Sequence, residues 1–198
     1  MKTIDVKGTA RTELGKKGTR KIRKADAVPC VLYGVKKDEN GNPVATAFTV
    51  TNEGLRKLVY TPHIYVVNLD IDGQSCKAIM KDIQFHPVKD NILHVDFYQI
   101  TEDKPIVMEV PVAMEGLAEG VRAGGKLQLQ VRKLKVKATY DKVPEKLVID
   151  VTSLGLGKSI KVGELSFEGL EILNAKETVV CGVKLTRAAR GAAATAGK

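Results

Sequence analysis

The chain has 198 residues, of which 43% are hydrophobic and 5% aromatic, and it carries a formal net charge of +9 with a pI near 9.4. This apolar fraction excludes a chain that is disordered throughout, and no run of about 18 apolar residues is present to form a transmembrane helix. The first residues lack the apolar segment of a secretion signal, so we expect a cytoplasmic protein. The length fits one large domain or two small ones.

The positive charge is concentrated at the two ends of the sequence. Residues 1–24 hold nine lysines and arginines against two acidic residues, and residues 187–198 add three further cations, so the remainder is close to neutral. A dense segment of one sign, interrupted by small residues, is typical of a loop that binds a polyanion. A basic helix that is merely solvated has the same composition, so composition alone leaves both interpretations open.

Within the basic N-terminal segment, Gly15 and Gly18 flank two lysines and allow the backbone to turn tightly. Arg20, Arg23 and Lys24 recur at the spacing of one helix face and would form a cationic edge on a short helix. Guanidinium groups bind phosphates through paired hydrogen bonds and can also read base edges. The segment therefore predicts binding to nucleic acid.

Most of the first hundred residues are patterned as short strands. The predicted strands are Val28–Tyr33, Val44–Val50, Ile64–Ile71, Cys76–Phe85 and Ile92–Ile100. The Asp72-Gly73 pair indicates a two-residue hairpin between the third and fourth of them. One helix is predicted after Thr51, which can cap it, and a second short helix near residues 18–25.

The composition turns polar at residues 101–105 and strand patterning then restarts, so we expect a domain boundary there. Further strands are predicted at Ile106–Val112, Leu127–Ala138, Leu147–Val151, Ile160–Val162 and Thr178–Leu185. The apolar parity of the second of these strands shifts by one residue at Arg132-Lys133, which predicts a β-bulge. The predicted organisation is a β domain at 1–100, a second β domain at 101–186 and a mobile Ala/Gly-rich tail at 187–198.

One predicted strand places a histidine and an aspartate side by side. Alternation assigns to its core face Leu93, Val95 and Phe97, and to its outer face Ile92, His94, Asp96 and Tyr98. A metal pair would need further ligands at useful spacing, and a catalytic dyad would need a nucleophile in a strained turn; neither is evident. The pair could instead hydrogen-bond base edges or ribose hydroxyls, or be an ordinary solvated pair.

Other candidate motifs carry less chemistry. Cys30, Cys76 and Cys181 lack the spacing of a disulfide framework or zinc site, and we expect three small buried residues in a reducing compartment. The segment Gly155–Ser159 ends like a phosphate-binding loop, but Thr152 stands where that motif requires its first glycine, so nucleotide binding is not expected.

Several of these segments together resemble a known family. The basic stretch leads into Val28–Gly34, and His86-Pro-Val-Lys89 is followed by Ile92–Phe97. This combination resembles the bacterial large-subunit ribosomal protein family number twenty-five, which binds 5S rRNA, in its long two-domain form known as CTC or general stress protein. Gly124–Leu127 and Ser159–Val162 are similar to the added β domain of that form, so the resemblance covers nearly all of residues 1–186.

The resemblance implies a mostly β fold, in which a six-stranded closed barrel with one or two helices precedes a second β domain. The barrel would bind the loop E region of 5S rRNA, a helix distorted by non-Watson–Crick pairs. The family's RNA-binding residues match Arg11, Arg20, Arg23, Tyr33, His94 and Asp96, and the same motifs contain Lys16, Lys17, Gln84 and His86. Cys30 and Thr19 depart from the residues usual in the family, and neither disturbs the match.

The resemblance also implies what the protein lacks and where it works. We expect no enzymatic activity, no metal or other cofactor, no small-molecule substrate and no membrane contact. The expected partners are 5S rRNA and the proteins and RNA of the large subunit, in the cytoplasm, with a monomer when the protein is free. The alternatives are a protein-interaction module whose basic ends are incidental, and a hydrolase or nuclease that uses His94 and Asp96.

Overall fold

The structure is a computed structural model that describes residues 2–35, 41, 44–101 and 104–186. The chain divides into two compact units at Lys104/Pro105. Among the described residues, no helix is both long enough and apolar enough to cross a membrane. The predicted tail at 187–198 lies outside the described residues.

The first unit is a closed six-stranded barrel, as predicted. Its strands are β1 (Lys2–Ala10), β2 (Ala27–Tyr33), β3 (Thr46–Thr51), β4 (Tyr65–Ile71), β5 (Gln74–Phe85) and β6 (Ile92–Gln99). They close in the order β1-β3-β2-β6-β5-β4, with β1 parallel to β4 and β2 parallel to β6. The helices are α1 (Lys16–Lys24) and α2 (Asn52–Val59), which confirms both predicted helices.

The barrel interior is filled by apolar side chains from every strand. Fully enclosed residues include Val6, Phe48, Leu69, Val95 and Phe97. Helix α2 adds Leu55 and Leu58 to this core, so its apolar face packs against the barrel. Thr51 begins the helix as predicted, because its hydroxyl oxygen accepts the backbone N–H of Gly54 at 3.3 Å.

Strand β1 is absent from the predicted strands. The segment alternates only weakly, and Val6 is the only one of its nine residues that is fully buried. Long-range pairing overrides this weak local signal, because β1 pairs with β4 along seven residues and with β3 at Thr9 and Ala10. The first ten residues therefore close the barrel, and only the segment after them is free to form a basic loop.

The predicted hairpin at Asp72-Gly73 is confirmed. Both residues have positive φ, at 48° and 86°, which matches the tight turn that joins two twisted antiparallel strands. Asp70 Oδ1 accepts the Gly73 N–H at 3.0 Å, and Asp72 Oδ2 accepts the N–H of Ala10 at 2.9 Å. The turn therefore also holds the end of β1.

The two faces of β6 differ from the prediction at one end. Gln84 of β5 pairs with His94 and Phe85 pairs with Ile92, so Leu93 is an extra residue in β6. This bulge turns Ile92 into the core, where it is 4% exposed, and leaves Leu93 partly exposed. The assignment of Leu93 to the core face and Ile92 to the outer face is wrong, whereas that of the next five residues is consistent with their burial.

The second unit is also mostly β. Its strands are β7 (Ile106–Glu115), β8 (Lys126–Leu129), β9 (Lys133–Ala138), β10 (Leu147–Asp150), β11 (Ser159–Lys161), β12 (Glu171–Ile172) and β13 (Val179–Lys184), with one short helix, α3 (Glu119–Arg122). They form a four-stranded sheet in the order β10-β7-β9-β12 and a three-stranded sheet in the order β11-β13-β8. The segment Gly155–Ser159 leads into strand β11 and not into a helix, consistent with the rejection of a phosphate loop.

The predicted β-bulge at Arg132-Lys133 is wrong. Strand β8 pairs with β13, whereas β9 pairs with β7 in the other sheet. The chain therefore leaves one sheet and enters a second between Leu129 and Lys133, and the shift of apolar parity marks this change of sheet.

The cysteines only partly match the expectation of burial. Cys30 and Cys181 are fully buried, whereas Cys76 is half-buried on β5. Burial raises the pKa of the Cys30 thiol from 9.0 to about 12 and also raises the pKa of Cys181.

Candidate nucleic-acid interface

The basic loop has a defined shape that depends on two glycines. Gly15, at φ 90° and ψ −173°, precedes the first residue of α1, in backbone geometry that side chains disfavour. Gly18 is buried on the inner side of the helix, where a Cβ would lie 2.6 Å from the carbonyl oxygen of Glu13. The glycines therefore allow the helix to fold back closely on the segment before it.

Glu13 stabilises this loop through its backbone carbonyl oxygen and through its side-chain carboxylate. Its carbonyl oxygen accepts hydrogen bonds from Arg11 Nε at 3.4 Å and Nη2 at 3.2 Å. Its carboxylate forms an ion pair with Lys21 Nζ at 3.1 Å. Arg11 and Lys21 are thus used within the loop. The remaining exposed cations of α1, Lys16, Lys17, Arg20 and Lys24, form no ion pair within the described ranges.

Arg23 joins the helix to the barrel wall. Its Nε and Nη2 donate to the carbonyl oxygen of Leu93 at 3.2 and 2.9 Å. Leu93 is the bulged residue of β6, and a bulge leaves backbone groups outside the regular ladder. The guanidinium therefore satisfies an acceptor that the sheet does not, and it fixes α1 beside the residue that precedes His94.

His94 and Asp96 form a direct pair on the outer face of β6. His94 Nδ1 and Asp96 Oδ1 are 2.8 Å apart, with side chains 24% and 32% exposed. This contact fixes the proton on Nδ1 and the orientation of the ring, so Nε2 is the atom that can bond a ligand. The pair is consistent with a rigid recognition element rather than two independently mobile side chains.

Neighbouring strands add polar and aromatic groups to the same face. The register places Gln84 of β5 opposite His94 and Asp82 opposite Asp96. On the other side, Tyr33 of β2 lies opposite Tyr98, and the two rings meet edge to face with centroids 5.9 Å apart. Burial raises the pKa of the Tyr33 hydroxyl, and the carboxylates of Asp96 and Asp82 raise it further. Tyr33 therefore stays a neutral hydrogen-bonding group.

The structure brings most of the predicted site residues to one region. Three neighbouring strands carry four of them: Gln84 on β5, His94 and Asp96 on β6, and Tyr33 on β2. The bond from Arg23 to Leu93 places α1 next to these strands. Helix α1 carries Lys16, Lys17 and Arg20 at exposed positions, and Arg11 lies just before it, bonded to Glu13.

His86 forms hydrogen bonds within its own turn and not with the other predicted site residues. Its Nδ1 accepts the backbone N–H groups of Val88 and Lys89, both at 3.2 Å, so the ring stabilises the turn between β5 and β6.

Sequence reasoning missed Asp82. The residue lies on β5 two positions before Gln84, and the two share a parity that would have placed them on one face. The bulge at Lys81 lies before both residues and leaves this spacing intact, so the alternation of β5 could have identified Asp82 once Gln84 was selected.

Within the part of the chain that the structure describes, no group of three or more histidine, cysteine, aspartate or glutamate side chains is arranged to hold a metal ion. Asp82 and Asp96 lie opposite each other, but His94 is already engaged by Asp96 through its Nδ1.

Comparison with known proteins gives the family. A model described as "Ribosomal L25p family" matches residues 6–97, and one described as "Ribosomal protein TL5, C-terminal domain" matches residues 105–187. A protein from Phocaeicola vulgatus named "Large ribosomal subunit protein bL25" is 76% identical over 198 residues, covering 100% of both chains. The chain belongs to the ribosomal L25p family. Members with the same name from Bacteroides thetaiotaomicron and Porphyromonas gingivalis are 70% and 58% identical, covering 100% and 98% of both chains.

Membership of this family confirms the predicted resemblance, including the two-domain form, because both family models match in the expected order. The family consists of ribosomal proteins, which are structural and non-enzymatic and which work at the ribosome. The hydrolase alternative for His94 and Asp96 is therefore not supported.

Proposed function

We propose that the chain is a component of the large ribosomal subunit that binds 5S rRNA at its loop E region. The binding surface, which we call the RNA face, has eight residues. They are Lys16, Lys17, Arg20 and Lys24 of α1 and Tyr33, Gln84, His94 and Asp96 of the barrel. The names of the relatives support the large subunit as the site of assembly. The free chain is a monomer, and the second unit contacts other RNA or protein of the subunit.

One observation carries the proposal: the Arg23 guanidinium bonds the Leu93 carbonyl oxygen at 2.9 Å and so sets the cationic helix beside the His94–Asp96 pair. The helix supplies charge for phosphates, which gives affinity, and the strand pair supplies hydrogen-bonding groups, which give specificity. We infer that a single RNA segment contacts both, because Leu93, which Arg23 bonds, directly precedes His94 in β6.

The chemistry favours a distorted helix as the ligand. A regular RNA helix hides its base edges in a deep and narrow major groove, whereas a helix with non-Watson–Crick pairs exposes some of them. The phosphates of RNA repel a carboxylate such as Asp96. Its presence on the RNA face is favourable only if it accepts a hydrogen bond from a base amino group or a ribose hydroxyl, or if it orients His94 for such a bond.

The test is the affinity of Asp96→Ala for 5S rRNA, measured by gel shift. We expect binding to weaken by about tenfold or more, because a hydrogen bond to a charged group contributes about 1.5–3 kcal/mol. Removal of a negative charge would by itself tighten binding to RNA, so the sign of the effect is decisive. Tighter binding by Asp96→Ala would contradict a role for this carboxylate in recognition.

Two further variants serve as controls. Glu168→Ala removes an exposed carboxylate of the second unit and should leave the affinity unchanged or slightly raised. Lys16→Ala should weaken binding to any RNA alike and lower the slope of log K against log salt by about 0.7–0.9, as loss of one phosphate contact requires.

A further inference from the structure

A pair of exposed aromatic rings lies at the end of the β5–β6 hairpin, next to α2. Tyr60 follows the last residue of α2 and is 58% exposed, and Phe85 ends β5 and is 40% exposed. Their ring centroids are 6.5 Å apart and the planes meet at 57°. Large aromatic side chains that pack together while still exposed to solvent form an apolar patch. Such patches are typical of binding sites.

The Tyr60 ring is held in place before any ligand arrives. Its hydroxyl donates to the carbonyl oxygen of Asp90 at 3.3 Å, and its backbone N–H donates to the carbonyl oxygen of Arg56 at 3.1 Å. A ring fixed by contacts at both ends loses little conformational entropy when a ligand stacks on it. The bond to Asp90 also ties the ring to the turn that His86 stabilises.

Positive charge surrounds the two rings. Arg56 and Lys57 precede Tyr60 by four and three residues, so they lie on the same side of the helix end. Lys89 is adjacent to Asp90, whose carbonyl the tyrosine contacts. All three cations are exposed, and in the described part of the sequence none of them forms an ion pair. The patch remains net positive with the carboxylate of Asp90 included.

We propose that these five residues, Arg56, Lys57, Tyr60, Phe85 and Lys89, form a second RNA contact that stacks one unpaired base; we call it the aromatic corner. Exposed rings bounded by cations are what single-stranded RNA requires, because every base has a face for stacking and a phosphate beside it. The proposal rests on the proposed function. Phe85 follows Gln84 of the RNA face directly in β5 but pairs with Ile92, so the two side chains point to opposite faces, and an RNA that contacts both passes around the end of the β5–β6 hairpin.

The experiment compares full-length variants for 5S rRNA affinity. Tyr60→Ala and Phe85→Leu remove an aromatic face, and each should weaken binding by about tenfold, within the range measured for loss of one stacked base. Tyr60→Phe keeps the ring and loses only the bond to Asp90, so it should bind within about twofold of the original chain. Val88→Ala removes a side chain that is 86% exposed in the same turn but has no face for stacking, and should have no effect.

Thermal unfolding of each variant separates loss of the contact from loss of the fold. Unchanged affinity for both Tyr60→Ala and Phe85→Leu overturns the aromatic corner, even if Asp96→Ala weakens binding as expected. An effect of Val88→Ala equal to that of Tyr60→Ala also overturns it, because that pattern indicates an apolar protein partner.

A second measurement keeps the two proposals distinguishable if the original chain does not bind 5S rRNA. The chain is irradiated in ultraviolet light with a short unstructured oligouridine, and the cross-linked peptides are identified by mass spectrometry. Cross-links at Tyr60 or Phe85 support the aromatic corner although the proposed function has failed. Their absence, with cross-links elsewhere or none, overturns it.

Discussion

Arg23 shows how a single side chain can decide the geometry of a surface. Its guanidinium meets a carbonyl oxygen 70 residues later in the chain, at the bulged Leu93. Sequence spacing placed Arg23 with Arg20 and Lys24 on one helix edge. It could not show that Arg23 is directed at the barrel, because the acceptor exists only through a bulge that alternation does not reveal.

The burial of Cys30 predicts that its thiol reacts slowly, because little of it is ionised near neutral pH. The thiol is fully buried, and its pKa of about 12 leaves about one thiol in ten thousand ionised at pH 8. We therefore expect the folded chain to react with a thiol reagent at the half-buried Cys76 long before Cys30, with sites assigned by mass spectrometry. Equal labelling of Cys30 and Cys76 in the folded chain would contradict the burial described here.

The same pKa shift has a consequence for stability. The thiol pKa is raised above its ordinary value of 9.0, so burial of the neutral thiol contributes fully below pH 9.0, and this contribution is lost as the pH rises toward 12. The free energy of unfolding should fall over that interval, and less steeply in a Cys30→Ala variant.

At the scale of the element, α1 depends on how closely it approaches the loop before it. In Gly18→Ala the new Cβ would lie 2.6 Å from the backbone oxygen of Glu13, so helix and loop must separate. We expect lower thermal stability and weaker 5S rRNA binding, because the exposed cations move relative to His94. Gel shift and thermal unfolding measure the two effects.

Gly155→Ala is the matched control, since its added Cβ meets nothing closer than 3.8 Å. That variant should keep its affinity and gain slightly in stability, by about 0.4–1 kcal/mol, as a less flexible unfolded chain predicts. If Gly18→Ala behaves like this control, the close approach of α1 to Glu13 has no part in RNA binding.

The elements that sequence patterning identified are those with strong local signals. Helix α2 has a capping threonine and an apolar face, and the hairpin at Asp72-Gly73 has a specific turn sequence. Strand β1 and the change of sheet before Lys133 were not identifiable in this way. Both depend on which distant strand becomes the partner, and neither leaves a distinctive mark in the segment itself.

The candidate site shows the same difference between residues with a local sequence signal and residues that are brought together only by folding. The resemblance matched six residues and indicated four more in the same motifs, and seven of these ten belong to the proposed RNA face. Asp82 was missed although its spacing from Gln84 gives it the same face, whereas the aromatic corner depends on the packing of Tyr60 on Phe85, which exists only in the folded barrel.

At the scale of the whole molecule, the boundary at Lys104/Pro105 separates two units, each with its own buried residues and its own family match. We expect a chain that ends at Lys104 to unfold cooperatively on heating and to bind 5S rRNA about as well as the full chain does. Calorimetry and gel shift provide the two measurements. A truncated chain that is unfolded, or folded but unable to bind, would show that the first unit does not act alone.

The parallel pairing of β2 with β6 has a consequence for the order of events during synthesis. Strand β6, which bears His94 and Asp96, is the last strand of the barrel to be synthesised. The barrel cannot close without it, because β6 lies between β2 and β5. A nascent chain that stops short of residue 92 lacks Leu93, so its cationic helix has no carbonyl oxygen of β6 to accept the bond from Arg23. We therefore expect selective RNA binding only in chains that extend past Gln99, where the barrel can close.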